Sequence, residues 1–561
     1  MKPETSPPVI IRKLPEAQTP PKTTSDEKIL TTEETQTKEE QKTEAPKETP
    51  DDKKDDKKDD KKDAKKKKSS AFIKGELANF IGATKLATSN NRIGVRLGYR
   101  AEDLVHYGTI TPEADLRFGK LTFGLGVPLA LQIYDGNLID GEDPEAGFDD
   151  AGAFRKEDWD EPGEYVRFIR YLTWGRKEDN IYFSLSQLGS NSLGHGALMR
   201  RYSVNIDPDS TRVSGQLDMY NDYAGFEVMT NSIVDWELFG ALAFVKPLSF
   251  FMDHPMARSM SIGVTYVGDR AAPVRVETES TNPFYVVGDS RPSVLNDAFV
   301  HAVGVDVEFK VFKSDTVDLK PYIDYSWMMP QSPSGDLAMD PEGGGGFTLG
   351  LLGRFNLGSD PVHAFRLVAE FRSFSANYLP GYFDTFYEVH KFAASQRIRQ
   401  AATNTGRLPA TKFEEIFVTR KGDDRHMGFY LEFNYSMVGN LAMTFALEGS
   451  DAELGNNFMA HLEVPALDWL QFFASYHQRA MDSLGDLFDM DASDKVLFTA
   501  ARLRLLPFLF INARYHYTLR LKDDYADLVT DPGEPEVFLE HYRFYQPTHG
   551  WMVDVELGWE F

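Results

Sequence analysis

The chain has 561 residues, a formal net charge of −25 and no cysteine, so it can bury a large core but has neither a disulfide framework nor thiol chemistry. Its first 70 residues hold 18 basic and 17 acidic side chains, whereas the remainder holds 43 basic against 69 acidic ones. Such an acidic body repels nucleic acid, and we expect no nucleic-acid partner. The sequence has no run of about 18 apolar residues, which argues against a transmembrane helix.

The first 91 residues form two segments. Residues 1–70 are rich in Pro, Thr, Glu, Lys and Asp, which predicts a disordered extension. It is either a solvated spacer or, through Val9, Ile10 and Ile11, a docking segment for a periplasmic partner. The opening MKPETSPPV lacks the apolar core of a signal peptide, so an exported protein would have lost its signal from this chain. Residues 71–91 contain FIKGELANFIG, whose helical spacing predicts a short helix that plugs or latches a barrel, or anchors at the membrane interface.

From Arg92 onward, apolar and polar residues alternate with a period of two, as in RIGVRLGYR and LTFGLGVPLALQIY. This pattern predicts strands with one apolar face, and about twenty runs have the length that crosses a bilayer when tilted. Their predicted spans are 92–100, 110–118, 121–134, 163–174, 181–188, 211–219, 222–230, 237–246, 259–268, 297–311, 316–329, 346–356, 362–377, 426–437, 440–450, 456–465, 469–480, 495–505, 508–521 and 548–561.

The connections between these runs alternate in length. Short turns follow the even-numbered runs, and nearly all long insertions follow the odd-numbered ones. Short turns on one rim and long loops on the other are typical of outer-membrane barrels. The main exception is 247–258, which is long for a periplasmic turn. The sequence therefore predicts an all-β fold, a closed antiparallel transmembrane β-barrel of about 20 strands, with 18 to 22 possible, over residues 92–561.

The last run, WMVDVELGWEF, places Val555, Leu557, Trp559 and Phe561 on one face. In this pattern the region 92–561 resembles Gram-negative outer-membrane β-barrels, and the resemblance implies that Phe561 and Trp559 are the signal read by the barrel assembly machinery. The stretch LGHGALMRRYSVNIDPDSTRVSGQLD is similar to uncharacterised large barrels of deltaproteobacterial type, which implies no function.

The polar register of the strands predicts a charged inner wall. These residues either form paired ladders that stiffen the wall or line a solute path. We predict that the following line the pore: Arg92, Arg96, Arg100, Asp306, Glu308, Lys310, Asp318, Lys320, Asp324, Arg366, Glu370, Arg372, Glu448, Arg502, Arg504, Arg514, Arg520, Asp554 and Glu556; Arg117, Glu560 and Glu113 share this register. At the seam between the first and last strands, we expect Glu560 to lie near Arg92 and Glu556 near Arg96.

Loop 379–425 is too long to be idle in a compact fold. Phe383 and Phe392 lie in an aromatic ridge with near-helical spacing, followed by basic residues that include Arg397 and Arg399. A basic loop on an acidic protein should be drawn inside, where inward carboxylates such as Glu370, Glu432 and Glu448 attract it, and would then form the constriction. A lid lying over the mouth is the alternative.

Two further loops carry polar clusters. Loop 135–164 holds twelve acidic residues, and MDSLGDLFDMDASD holds several more, but neither has the ordered spacing of an EF-hand, so we predict no cofactor and only a weak possibility of Ca²⁺ at these outer loops. The stretch SNSLGHG offers Ser190, Asn191, Ser192 and His195. Their order reverses that of outer-membrane phospholipases, so a hydrogen-bond cluster with Arg200 and Arg201 paired to Asp207 and Asp209 is favoured over catalysis.

These patterns predict a porin-like channel for passive diffusion of small polar solutes, constricted by inward loops and without enzymatic activity. A partner-driven uptake receptor and a lumen-occluded barrel that tethers a periplasmic complex through its N-terminal tail are the alternatives. The expected location is the bacterial outer membrane, with the N-terminal extension in the periplasm. The expected partners are outer-membrane lipid and lipopolysaccharide, the assembly machinery and small polar solutes.

Overall fold

Every predicted alternating run forms a strand, and the strands close into one antiparallel barrel of twenty. The structure is a computed structural model. It describes residues 91–136, 146–148, 150–155, 158–159, 164–175, 179–187, 190–207, 211–254, 256–277, 291–314, 316–333, 339–358, 363–393, 410–420, 424–437, 441–452, 456–464, 469–481, 483–488, 495–521 and 545–561. The predicted extension 1–70 and nearly all of the predicted helical segment 71–91 lie outside these residues.

The barrel strands are numbered here in chain order, with β3 in two pieces. They are Arg92–Glu102 (β1), Val105–Phe118 (β2), Leu121–Gly126 with Leu129–Asp135 (β3), Ile169–Trp174 (β4), Ile181–Ser186 (β5), Ser214–Tyr220 (β6), Ala224–Thr230 (β7), Leu238–Val245 (β8), Ser261–Val276 (β9), Val294–Glu308 (β10), Val317–Pro330 (β11), Gly344–Leu357 (β12), His363–Ser375 (β13), Arg425–Met437 (β14), Leu441–Ser450 (β15), Asn456–Val464 (β16), Leu470–Met481 (β17), Lys495–Leu506 (β18), Leu509–Leu521 (β19) and Tyr545–Glu560 (β20).

The described connections contain only short elements. A two-residue strand, Phe312–Lys313, extends the edge of β11, and another pair, Ser190–Asn191 with Tyr202–Ser203, forms a separate ladder. The helical turns are Ala146–Phe148, Glu164–Val166, Pro247–Phe250, Ala257–Ser259, Tyr387–His390, Glu414–Thr419 and Leu484–Phe488. In this part of the chain no helix is long and apolar enough to cross a membrane.

Each barrel strand pairs with its sequence neighbours, and β1 closes the ring against β20. The break in β3 falls at Val127 and Pro128, because proline lacks the amide N–H that a ladder needs. The backbone N–H of Val127 still donates to the carbonyl of Pro112 at 3.1 Å, which keeps β3 on β2. The predicted alternation of rims is confirmed, with connections such as 119–120 and 507–508 on the short-turn rim and 376–424 on the long-loop rim.

Side chains on the two faces of the wall differ in polarity. In β14, Leu431 and Phe433 are exposed on the outer face, whereas Glu432 and Asn434 are buried on the inner face. The same period of two runs through β1, where Ile93 and Leu97 alternate with buried arginines, because successive strand side chains point to opposite faces. An apolar outside around a charged inside is the arrangement of a transmembrane β-barrel.

Two local expectations need correction. Strand β9 runs to Val276 through part of the predicted loop 269–296, because register shifts between Asp269 and Val276 accommodate Pro273 without ending the ladder. Arg117 and Arg504 lie in the inward register but near the short-turn rim, where their side chains are exposed. The long turn 247–258 contains two helical turns and a highly exposed Phe251.

The seam between β1 and β20 has the predicted register. Arg92 lies opposite Glu560 and Arg96 lies opposite Glu556 in the backbone ladder. The predicted ion pair of Arg96 with Glu556 is wrong, however, because a long arginine reaches along the strand to a diagonal neighbour. The Arg92 guanidinium contacts Glu556, whereas Arg96 contacts Glu113 at 3.2 Å. At the chain end, Trp559 and Phe561 are exposed on the outer face.

We expect a double-mutant cycle of Arg92→Gln and Glu556→Gln to give a coupling energy above about 1 kcal/mol, because both groups are buried and removing one leaves the other charge in a poorly solvated site. Urea unfolding of the refolded barrel measures it. The exposed pair Lys120 and Asp179, 3.0 Å apart, is the control and should couple by less than about 0.5 kcal/mol. Equal coupling in the two cycles would contradict a tight seam.

Candidate functional site inside the barrel

The described parts of two long connections fold into the barrel. The first insert comprises residues 187–213, between β5 and β6, and the second comprises residues 376–424, between β13 and β14. Met199 and Tyr202 of the first insert and Phe383 and Tyr387 of the second are almost completely buried. The prediction that the second insert enters the barrel fits this burial better than a lid over the mouth. The sequence did not predict that the first insert also enters.

The two inserts are joined through their backbones. Met199 and Phe383 form a parallel bridge, the N–H of Gly381 donates to the carbonyl of Ala197 at 2.8 Å, and the N–H of Arg200 donates to the carbonyl of Phe383 at 3.1 Å. The hydroxyl of Thr385 donates to a first-insert carbonyl at 2.8 Å. The inserts therefore form one structural unit rather than two independent loops.

This unit has its own apolar core against one side of the wall. Tyr382, Phe413 and Phe417 from the second insert pack in one buried cluster with first-insert and wall residues such as Val267 and Val300. Glycines in β12 make room for the entry of the second insert, since a Cβ on Gly346 would lie 2.5 Å from the ring of Tyr378. Of the predicted aromatic residues, Phe383 belongs to this cluster and Phe392 is buried outside it, whereas Arg397 and Arg399 lie outside the described residues.

The acidic inner wall holds the first insert through two arginines. The Arg200 guanidinium donates to Glu370 of β13 at 2.6 Å and stacks over the ring of Tyr430, with 3.8 Å between the guanidinium carbon and the ring centroid. The Arg201 guanidinium donates to Glu432 of β14. Each carboxylate is buried in the wall, where it needs a nearby cation. We call these two contacts the arginine latch.

The latch bears on two expectations. The guanidiniums of Arg200 and Arg201 contact wall carboxylates 170 and 231 residues away in sequence, contacts that the predicted local pairing with Asp207 and Asp209 did not include; Asp209 lies outside the described residues. The wall carboxylates attract a basic insert, and in the latch it is the first insert; Arg397 and Arg399 of the second insert lie outside the described residues. Arg201 also has a left-handed φ of 54°, a conformation that costs about 1–2 kcal/mol and that the surrounding contacts stabilise.

His195 and the neighbouring serines serve different contacts. The His195 ring stacks on Tyr322 of β11, with 3.7 Å between ring centroids, and its Nε2 lies 3.4 Å from Glu308. The Ser192 hydroxyl accepts a hydrogen bond from the backbone N–H of Arg201 at 2.9 Å. These contacts attach the first insert to the wall and stabilise its own conformation.

Polar contacts attach the second insert to β17 and β9 of the wall. Asp384 forms an ion pair with Arg479 of β17 at 2.7 Å, and the hydroxyl of Tyr387 donates a hydrogen bond to Asp269 of β9 at 2.6 Å. Glu388 pairs with Lys391 at 2.9 Å within the insert. The predicted near-helical ridge thus forms a short helix, Tyr387–His390, that bridges the interior.

Most of the other predicted inner-wall residues form ion pairs along the wall. Lys310 pairs with Asp318 at 2.5 Å, Lys320 pairs with Glu308 at 2.8 Å, and Arg372 pairs with Glu370 at 2.6 Å. Arg372 also contacts Glu448, and Arg366 contacts Glu432. Asp324, next to the buried Asp306, accepts a hydrogen bond from the Ser326 hydroxyl. These residues therefore form the paired ladder that was one of the two alternatives, and the solute path stays a prediction.

A dense arginine network covers the wall around the seam. We call it the arginine track, and its cations are Arg92, Arg96, Arg100, Arg155, Arg167, Arg170, Arg502, Arg514 and Arg520. Its carboxylates are Glu102, Glu113, Asp115, Asp158, Asp554 and Glu556. Arg155, Arg167 and Asp158 were not predicted as inner-wall residues because they lie in an irregular connection, and Arg170 was not predicted because its strand is short.

The polar clusters considered for metal binding lie largely outside the described residues, including most acidic residues of loop 135–164. Among the residues that the structure does describe, no group of three or more His, Asp or Glu side chains is arranged to hold a metal ion. The interior site is thus described by ion pairs, aromatic contacts and the two inserts.

In comparisons with known proteins, no protein-family model and no curated protein matches the chain. Its fold is similar to outer-membrane β-barrels. The ferric enterobactin receptor PfeA from Pseudomonas aeruginosa has a TM-score of 0.32 and 9% identity, covering 85% of this chain and 82% of that one. Wzi, an outer-membrane protein from Escherichia coli, has a TM-score of 0.30 and 9% identity, covering 85% and 86%.

CdiB from Acinetobacter baumannii is a further match, with a TM-score of 0.25 and 8% identity over 84% of this chain. The match spans only 60% of the length of CdiB. All three similarities concern the barrel fold alone, and the function is therefore argued below from the interior of this protein.

The latch predicts a local effect of removing one arginine. Arg201→Gln leaves the buried Glu432 without its insert cation, which should weaken docking of the first insert by about 3 kcal/mol. Amide hydrogen exchange over residues 193–204 should become faster, while exchange in the barrel strands stays slow. The control is Arg270→Gln, which removes an exposed pair with Asp235. Unchanged exchange in Arg201→Gln would contradict the latch.

Because Lys412 is buried, docking of the second insert should depend on pH. Burial lowers the pKa of Lys412 to about 7, although Asp384 lies 3.6 Å from its Nζ and partly offsets the shift. In the released insert Lys412 is solvated and has a pKa of about 10.4, so between about pH 7 and 10 it keeps a proton that the docked form has lost. Because the released form binds more protons, the docked form should become more stable as pH rises from about 7 to about 10. Hydrogen exchange of residues 411–417, corrected for intrinsic rates, measures this change.

Lys412→Met is the matched variant, because it keeps an unbranched side chain near Tyr382 and Tyr387 and removes the proton. In this variant the stabilisation between pH 7 and 10 should be lost. If wild type and variant show the same slope, Lys412 does not control docking of the insert.

Proposed function

We propose that this protein is a channel of the bacterial outer membrane for passive diffusion of small polar solutes, non-enzymatic, with the two inserts as its gate. The observation that supports the proposal is the joined insert unit, which the arginine latch attaches to one side of a charged inner wall. Barrels of sixteen to eighteen strands usually leave an aqueous channel, so the inserts of a twenty-strand barrel occupy space that would otherwise hold water.

The contacts of the inserts explain how a gate would work. The unit is held by a few ion pairs, such as Arg200 with Glu370, and by an apolar core of its own, while the strand ladders of the wall do not depend on it. Moving the unit would therefore open the lumen without breaking the barrel. The outer face, rich in exposed Leu, Ile, Phe and Trp side chains, suits a lipid environment and the proposed location.

We expect replacement of Gly381–Asp423 by a short Gly-Ser turn to raise single-channel conductance in planar bilayers several-fold, because this removes most of the buried second insert and leaves β13 and β14 intact. The folded barrel should remain heat-modifiable in gels. The control removes residues 247–258, a connection on the short-turn rim with an exposed Phe251, and should not change conductance.

The outcome for the intact chain separates the proposal from its rivals. A small but measurable current in the intact chain and a larger one in the shortened chain would support a constricted diffusion channel. No current in the intact chain and a large current in the shortened chain would favour the partner-driven uptake receptor. Equal conductance in both would contradict a gate made by the second insert.

A further inference from the structure

The outer face of the wall is concave across strands β11 to β16. A groove of about 490 Å³ lies there, and nearly all the groups that line it are apolar. Its larger lining side chains include Leu351, Leu367, Leu431, Phe355, Phe433 and Phe445. Gly353 of β12 and Ala369 of β13 also line it, and because they carry little or no side chain the surface is recessed there. A volume of about 300–1,000 Å³ is usual for a ligand site.

The groove lies in the half of the lipid-facing surface nearer the short-turn rim. Strand β13 begins at His363 on that rim, and Leu367 and Ala369 follow after about 13 and 20 Å of strand, at a rise of about 3.3 Å per residue. With a strand tilt of about 40°, these positions lie about 10 and 15 Å from the rim along the membrane normal. Since short turns face the periplasm, the groove faces the acyl chains of the periplasmic leaflet.

Polar aromatic side chains lie between the groove and the short-turn rim. The hydroxyl of Tyr435 is 2.9 Å from Nδ1 of His363, and the ring centroid of Phe365 is 5.1 Å from that of Tyr435. In the ladder His363 lies opposite Leu357, and Phe365 lies opposite the groove residue Phe355, so both belong to the outward register. Aromatic side chains with a polar tip occupy the level of the lipid headgroups in membrane proteins.

We propose that the groove is a phospholipid site, which binds one acyl chain of a lipid of the periplasmic leaflet and places its headgroup phosphate at His363 and Tyr435. The groove is continuous with the lipid-facing surface, because the exposed Leu349 and Phe371 lie beyond it on one side and the exposed Leu357 lies on the other. The lipid therefore reaches the groove from the membrane itself. The inference does not depend on the proposed channel function.

Packing, rather than removal from water, favours a bound chain. Acyl chains of the bilayer are already in an apolar environment, so the gain comes from dispersion contacts that a recessed wall makes on several sides of one chain and that an empty recess would lack. A second copy of the barrel would present a convex wall, which spans a recess without filling it. The polar pair at the rim then distinguishes a phospholipid from a free apolar chain.

Native mass spectrometry tests the proposal, because the mass of a retained lipid identifies it. Refolded protein is incubated in detergent with equal amounts of phosphatidylethanolamine and phosphatidylglycerol, and we expect it to retain one phospholipid at collision energies that remove the others. Ala369→Phe fills the groove and should lower this retention several-fold. Gly353→Ala is a milder second variant, since its Cβ would lie 3.2 Å from the ring of Phe355 and 3.3 Å from the side chain of Leu319. It should lower retention less.

The control adds the same bulk outside the groove. Ala513 is an exposed outward residue of β19, so Ala513→Phe should retain the phospholipid as wild type does. Tyr435→Phe keeps the ring and removes the hydroxyl, and it should weaken retention of the phospholipid. Unchanged retention in Tyr435→Phe would overturn the headgroup placement. A heat-modifiable band in gels shows that each variant is folded.

The remaining outcomes are distinct. Equal retention by wild type and both groove variants would overturn the proposal. If lipopolysaccharide is the lipid that wild type retains and the groove variants lose, the groove faces the other leaflet and the proposal is wrong. A dimer of wild type that Ala369→Phe dissociates would assign the groove to a second copy instead. None of these measurements requires the protein to conduct, so they leave the channel proposal to its own test.

Discussion

Neutralisation of carboxylates on the inner wall is the constraint on which the interior depends. Glu370 and Glu432 face inward because their strands must turn leucine and phenylalanine outward, and a carboxylate away from bulk water requires a cation. The wall supplies Arg372 to the first, and the first insert supplies Arg200 and Arg201. The carboxylates of the inner wall thus determine where the first insert lies. Backbone hydrogen bonds between the inserts then position the second insert.

The strands could be predicted from the sequence because a period of two is a local property. Each run needs only its own residues to specify which side faces lipid, and short turns then determine which strands are neighbours. Strand ends were harder to place, as in β9, where register shifts let the ladder continue past Asp269. Proline usually ends a ladder, but at an irregular position its missing N–H has little effect.

The interior could be predicted only in part, because its contacts join distant parts of the chain. The burial of Phe383 and Phe392 agrees with the predicted inward fold of the second insert, whereas Arg397 and Arg399, the basic residues on which that prediction depended, lie outside the described residues. The latch did not follow, since acidic residues lie close to Arg200 and Arg201 in sequence, and the sequence does not show that Glu370 and Glu432 lie within contact distance of them. At the seam, the register predicted backbone neighbours correctly, whereas the length of arginine let Arg92 reach Glu556 diagonally.

The parallel bridge between the inserts has a consequence for how the interior can move. If Gly381 and Phe383 withdrew alone, the carbonyls of Ala197 and Leu198 would lose their donors within an apolar cluster, where an unpaired carbonyl is unfavourable. Partial withdrawal is therefore costlier than joint withdrawal. The two inserts should behave as one cooperative element with two discrete positions, and a substitution in either should shift the population of both.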